Sequence, residues 1–361
     1  MSHYLLELTA VCGEFPLPLL LRIPGSTSYK ESVITSLKKG GFLRTYYRDK
    51  LRGYRLGRKA KSFLLEENPK RFSFFLTGNG ETHKLKSEFS RRLRLHRVAE
   101  ILVTMQNAGI RIFRDERPEV FSARGSPVQN LDAPAFYGSR EIKEIGIEAV
   151  KIRGSRMAGA LLAPSGIFTV YNGDSYTMKW DYRAEIKVQV FLKLLLCCER
   201  LPGQYARTEV SGLLLGNGLE DFYQILSAAD TGSRCFFLLD GNYEHFYYLT
   251  NDHYGDTLLK LLCDPVKTME LDNLLMQGFT PKDAGLPIEH DALDQGENPV
   301  LFGYFLDIPR INRFHTALQL QGRKGILICF DFQKEVLHRF CGGHAEFSTI
   351  SFEKFERRFF P

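Results

Sequence analysis

The apolar positions of this chain follow two regimes. Up to about residue 64 they form short clusters at helical spacing, broken by glycine and proline. Beyond Leu93 they gather into longer helical stripes that alternate with apolar runs of strand length. Leu5, Leu6 and Val11 share one helical face, and Pro16 and Pro18 stand in the first turn of a second short helix that runs through Leu21. A third helix carries Val33, Ile34 and Leu37 on one side. It is read as opening with a capping box of Ser28 and Glu31 and stopping at Gly40-Gly41. Phe42, Leu43, Tyr46 and Tyr47 fit a strand, Arg48 to Gly53 a basic turn, and Tyr54 to Leu56 the return strand. Ala60, Phe63 and Leu64 then mark the apolar side of a closing helix. Three helices, a basic hairpin and a closing helix are the element order of a winged helix-turn-helix.

Residues 66–91 read as a connector. Gly78-Asn79-Gly80 and the similar Gly216-Asn217-Gly218 are turns, because neither is followed by the Lys-Ser/Thr of a phosphate-binding loop. Leu95, Val98, Leu102 and Met105 form a helical stripe that Gly109 ends. A strand is expected near Ile110–Phe113, a loop-rich stretch with short strands over 114–138 and an extended segment over Ser139–Ile145. Strands at Arg156–Ala163 and Gly166–Tyr171 precede a long helix at Trp180–Arg200. A strand at Val210–Leu215, a helix at Leu219–Ala229 and a strand at Cys235–Leu239 follow. This α-β-β-β-α-β order is the layout of the restriction-endonuclease-like core. The last part, 230–361, reads as α/β. Its strands fall at His245–Leu249, Val300–Leu306 and Gly325–Phe330, and its helices at Tyr254–Leu262, Ile308–Leu320 and Gln333–Phe340. The expected fold is a multidomain α+β or α/β chain. A winged helix at 1–70, a connector at 71–92, a degenerate nuclease-like core at 93–230 and a C-terminal α/β segment at 231–361 compose it.

Charge sharpens this picture. Residues 1–97 hold 20 Lys and Arg against 8 Asp and Glu, whereas residues 98–361 hold 28 against 34, so the formal +6 conceals a basic head on an acidic body. Such asymmetry suits a polyanionic partner, double-stranded DNA first. On the third helix Ser28, Ser32, Thr35 and Lys39, with neighbouring Lys38, face away from the apolar side. They are short enough for a groove and able to hydrogen-bond base edges. Arg48, Lys50, Arg52 and Arg55 of the hairpin suit flanking phosphates.

Other chemistry is weakly signalled. The seven cysteines lack metal-ligand spacing and read as reduced thiols of a cytoplasmic protein. No run reaches the length of a membrane span, and the first residues do not have the pattern of a secretory leader. His245, His253, His290, His315, His338 and His344 show no metal-binding spacing. Asp240 and Asp331 follow apolar strands and read as helix caps. Asp174 with Glu185-Ile186-Lys187 matches the spacing of a metal-dependent nuclease motif, which would use Mg or Mn. But Glu185 and Lys187 fall in a helix, where metal chemistry needs carboxylates converging from adjacent strands. No metal site and no cofactor is therefore expected.

The segments SLKKGGFLRTYYRDKLRGYRLGRKAKSFLLEENPKRF and LRLHRVAEILVTM resemble the replication-relaxation family of plasmids and conjugative elements. The likeness covers roughly residues 1–200. It departs at Leu56-Gly57, where the family has Leu-Thr, and at Met157-Ala158, where an acidic residue is wanted. The resemblance implies a non-catalytic DNA-binding accessory of mobile-element replication or DNA relaxation. Its implied partners are duplex DNA and a relaxase, replication or other nucleic-acid-processing protein, with a homodimer as a further expectation. Two other readings stay open: a metal-dependent nuclease, and a protein-interaction module or inhibitor acting on a nucleic-acid enzyme.

Overall fold

The computed structural model describes residues 1–78, 87–122, 127–128, 130–145, 154–173, 181–228, 242–283 and 285–361. The fold is mixed α and β, and the chain divides into two compact units, Met1–Glu119 and Val120–Pro361. The expected boundaries at 70, 92 and 230 fall inside these units. Among the described residues no helix is long and apolar enough to cross a membrane.

In the N-terminal unit, helix α1 (Ser2–Cys12) leads through Gly13, whose φ of 81° needs a residue without a side chain, into strand β1 (Phe15–Pro16) and a 3-10 segment at Leu17–Arg22. Helix α2 (Thr27–Lys39), strands β2 (Leu43–Arg48) and β3 (Leu51–Leu56), and helices α3 (Arg58–Glu67), α4 (Pro69–Leu76) and α5 (Phe89–Asn107) follow. The strands form one antiparallel sheet in the order β1-β3-β2. The stretch read as a connector thus contains α4, whose Phe72, Phe75 and Leu76 are buried. Asn79 and Gly80 of the first expected turn lie outside the described residues. The strand expected at Ile110–Phe113 does not form; that stretch holds no more than an isolated bridge residue before a 3-10 turn at Arg114–Glu116.

The C-terminal unit carries two five-stranded sheets. The first is ordered β4-β5-β6-β7-β8, from Ala135–Gly138, Gly159–Ala163, Gly166–Asn172, Val210–Gly216 and Phe246–Thr250. Its first three strands are antiparallel and its last three parallel, with β6 in both sets. Helix α6 (Tyr182–Lys193), continued as a π-helix over Leu194–Arg200, and helix α7 (Leu219–Ala228) make the crossovers that parallel strands require. The first strand lies at 135–138, within the loop-rich stretch expected to hold short strands. Residues 139–142, expected to be extended, form one helical turn instead. The strand expected at Cys235–Leu239 lies outside the described residues.

Helices α8 (His253–Leu262) and α9 (Pro265–Met276) precede the second sheet, ordered β13-β12-β11-β10-β9. Its strands are β9 (Thr280–Pro281), β10 (Ala292–Leu293), β11 (Pro299–Phe302), β12 (Gly325–Phe330) and β13 (Ala345–Ile350). Helices α10 (Ile308–Gln321) and α11 (Lys334–Cys341) lie between its parallel strands, and α12 (Phe352–Phe359) follows β13. One hydrophobic core runs from Val120 to Ala345 through both sheets. Because that core takes residues from both sides of 230, the two stretches share a single interior, and the β8 residue Tyr248 donates its amide to the Leu306 carbonyl at 3.2 Å.

Helix α8 starts against backbone. Asp252 caps it by accepting the Gly255 amide at 3.0 Å, and a Cβ on Gly255 would lie 1.8 Å from the Thr250 carbonyl oxygen. Gly255→Ala therefore forces the backbone apart and is expected to cost about 1–3 kcal/mol. Gly278→Ala, which meets open space, serves as the control. A thermal melt in which both variants match the parent would contradict this packing.

Candidate nucleic-acid interface

Helix α2 sorts its residues by face. Val33, Ile34 and Leu37 are buried, together with Lys30, while Ser28, Tyr29, Glu31, Ser32, Thr35, Ser36, Lys38 and Lys39 are exposed. The cap differs from expectation. Ser26 is the N-cap and its Oγ accepts the Tyr29 amide at 3.4 Å; the helix starts two residues earlier than the Ser28–Glu31 box implied, which frees the Ser28 side chain to lie on the outer face. Gly40 and Gly41 end the helix, the latter at φ 74°.

The hairpin turn is two residues long. Asp49 and Lys50 have φ of 53° and 61°, the mirror-image turn whose twist suits a tight antiparallel pair. Six residues were expected in this turn; the ladder instead continues to the Arg48–Leu51 pair, directly beneath the tip. Arg48, Lys50 and Arg52 are exposed there, with Arg44, Tyr47, Arg58 and Lys59 also exposed nearby in sequence. Arg48 donates to Ser87 Oγ at 3.0 Å and lies 3.5 Å from the Asp49 carboxylate.

Arg55 departs from this set. It is 5% exposed, and its Nε donates to Glu14 Oε2 at 2.8 Å. Glu14 is itself fully buried and also accepts from Arg92 Nη2 at 2.5 Å, with His96 Nε2 at 2.9 Å. Arg92 reaches on to the hairpin backbone, donating to the Arg48 carbonyl at 2.7 Å and the Leu51 carbonyl at 3.1 Å. Both guanidinium groups lie over the Tyr46 ring, at 3.9 Å for Arg55 and 4.6 Å for Arg92. Gly53 is required because a Cβ there would come within 2.7 Å of Glu14. Arg55 is therefore removed from the phosphate-contacting residues: it holds the hairpin from within. Burial pushes the Glu14 carboxyl up, but the bonds from His96, Arg92 and Arg55 outweigh it and hold the group at about 2.

A third arginine is held by internal carboxylates too. Arg71 bonds Glu7 at 2.6 Å, Asp115 at 2.7 Å and Glu116 at 2.7 Å. The basic head thus spends Arg55, Arg71 and Arg92 on internal anions and leaves Lys38 and Lys39 of α2 and the cations of the hairpin tip and the start of α3 facing solvent. Sequence reasoning missed Glu14. Its signal was a lone carboxylate between two apolar segments, and Arg92 with His96 one helical turn apart.

Among the described residues, Glu185 and Lys187 of the nuclease-like spacing do not converge. Glu185 is fully buried on α6 and accepts from Ser155 Oγ at 2.8 Å, the Arg156 amide at 2.7 Å and Tyr171 OH at 2.8 Å. Tyr171 OH in turn lies 2.7 Å from Tyr243 OH. Burial raises the Glu185 carboxyl above its ordinary range. Lys187, two residues on, is exposed, so the pair points to opposite sides of the helix, and Asp174 lies outside the described residues. Among the described residues no group of three or more His, Cys, Asp or Glu side chains is placed to hold a metal. The described donors do not fit Mg or Mn. Asp331 is not the helix cap read for it: the helical segments after β12 start from Phe330 and Gln333, and its carboxylate accepts the Phe332 amide at 2.9 Å and the Phe352 amide at 3.3 Å, while Asp240 lies outside the described residues.

No family model, no curated protein and no solved structure matches this chain.

Glu14→Gln leaves two buried guanidinium groups without their anion and is expected to destabilise the N-terminal unit by about 3–5 kcal/mol. In the parent chain the depressed carboxyl contributes stability that is complete above the unfolded value of about 4.3 and is lost as pH falls toward about 2. Urea unfolding followed by circular dichroism between pH 6 and pH 2.5 checks both; a Glu14→Gln chain as stable as the parent at pH 6 would refute the assignment.

Proposed function

We propose that this protein binds double-stranded DNA through its N-terminal unit, folded as a winged helix-turn-helix, and is a non-catalytic accessory of mobile-element replication or DNA relaxation. Helix α2 enters the major groove with Ser28, Ser32, Thr35 and Lys39, and Lys38 sits at the groove edge. The hairpin is the wing, and Arg48, Lys50 and Arg52 contact flanking phosphates. One observation carries this reading: short polar side chains on the outer face of α2 and three cations at the hairpin tip are exposed, while Arg55, Arg71 and Arg92 are committed to internal anions. A merely solvated basic surface needs no such division.

The element order supports the winged-helix assignment. Helix, short strand, short helix, helix and hairpin, with sheet order β1-β3-β2, place the third helical segment next to the wing. The assignment to mobile elements rests on the sequence resemblance. In the C-terminal unit, three antiparallel strands followed by parallel crossovers suit a nuclease-like core, and Glu185's structural role suits a degenerate one. The acidic remainder offers the surface for a relaxase or replication protein.

Fluorescence anisotropy with a labelled duplex tests the reading. Binding is expected to weaken steeply with salt. Arg48→Gln, Lys50→Gln and Arg52→Gln combined should lower the slope of log K against log salt by about 1 for each phosphate that is no longer neutralised. Lys39→Ala should alter sequence preference instead. An unchanged slope in the triple variant would remove the wing from the interface, and no duplex binding at low salt would remove the function.

A further inference from the structure

Helix α6 and its π-helical continuation carry an outer face unlike that of an ordinary surface helix. Their inner side, including Ala184, Val188, Phe191, Leu192 and Leu195, is buried in the core. On the outer side Tyr182 is 50% exposed, Val190 51% and Leu194 52%, a spacing of eight and four residues along one stripe. A surface helix normally keeps this side polar. The charges flanking the stripe are divided: Arg183 and Lys187 lie exposed toward its start, and Glu199 lies exposed toward its end. None of these three enters an ion pair among the described residues, whereas Lys193 pairs with Glu209.

We propose that two copies of this chain associate through this face, the two α6 helices packing antiparallel about a two-fold axis at the level of Leu192. Charge complementarity selects a second copy as the occupant. With the axis there, Val190 of one copy meets Leu194 of the other. Counted along the chain from the axis, Glu199 stands seven residues away, between Lys187 at five and Arg183 at nine in the second copy. Each copy therefore supplies both the cations and the anion, which makes the patch complementary to itself and closes the assembly at two. Parallel packing would set Arg183 against Arg183 and Glu199 against Glu199. The inference stands independently of DNA binding, since every residue it uses belongs to the C-terminal unit.

Sedimentation equilibrium of the full chain tests it. The mass is expected to rise from 41.3 kDa toward twice that value as concentration increases. Val190→Glu with Leu194→Glu should hold the chain monomeric at every concentration, with an unaltered circular dichroism spectrum because both side chains are exposed. Glu199→Lys alone, or Arg183→Glu with Lys187→Glu, should weaken association at least tenfold, and combining all three should restore it. A parent chain that stays monomeric, a dimer that survives Val190→Glu with Leu194→Glu, or charge reversals that fail to compensate would each overturn the proposal.

Discussion

A single buried carboxylate organises the basic half of this protein. Glu14 sits without solvent among two arginines and a histidine that reach it from β3 and α5, and Arg92 passes the constraint on to the two carbonyls beneath the hairpin tip. Buried charges are costly unless paired and hydrogen-bonded, and here the pairing is dense enough to keep the carboxylate ionised. The hairpin is thereby tied to a long helix distant in sequence. Its exposed cations project from a fixed base, the rigid support a binding site needs.

The same logic explains why the net charge of the head overstates its available binding surface. The head has a large excess of Lys and Arg, yet a share of those arginines serves as internal counter-charge. Arg55 looks from the sequence like one more wing cation; strand alternation turns it to the opposite side of the sheet from Arg52 and Tyr54, onto the Glu14 face. In the C-terminal unit the equivalent internal acceptor is Glu185. Ser155, Tyr171 and a backbone amide satisfy it, and its motif-like spacing to Lys187 reflects helix numbering alone.

Local patterns in the sequence specified much of the architecture. The apolar faces of α2 and α3, the hairpin strands, the paired strands β5 and β6, and the helix over 182–193 all lie close to where periodicity puts them. The misses have physical causes. Ser26 competed with Ser28 for the cap of α2, and both satisfy the local chemistry. β4 falls in a stretch read as loop-rich with short strands; its bounds were not legible because its strand character comes from pairing with β5 rather than from propensity. β13 and α12 were overlooked because half-exposed strands and strongly charged short helices show little apolar contrast before their partners are known. For the site, the exposed helix face was legible, but the Glu14 cluster was not. Glu14 lies 41 residues from Arg55 and 78 from Arg92, and no periodicity links it to them.

The most direct test of the account is amide hydrogen exchange of the full chain with and without a duplex. Added protection confined to α2 and to residues 48–52 of the hairpin, with the exchange of β4–β8 unchanged, is the predicted result. Protection that appears only within Val120–Pro361, or none at any duplex concentration, would contradict it.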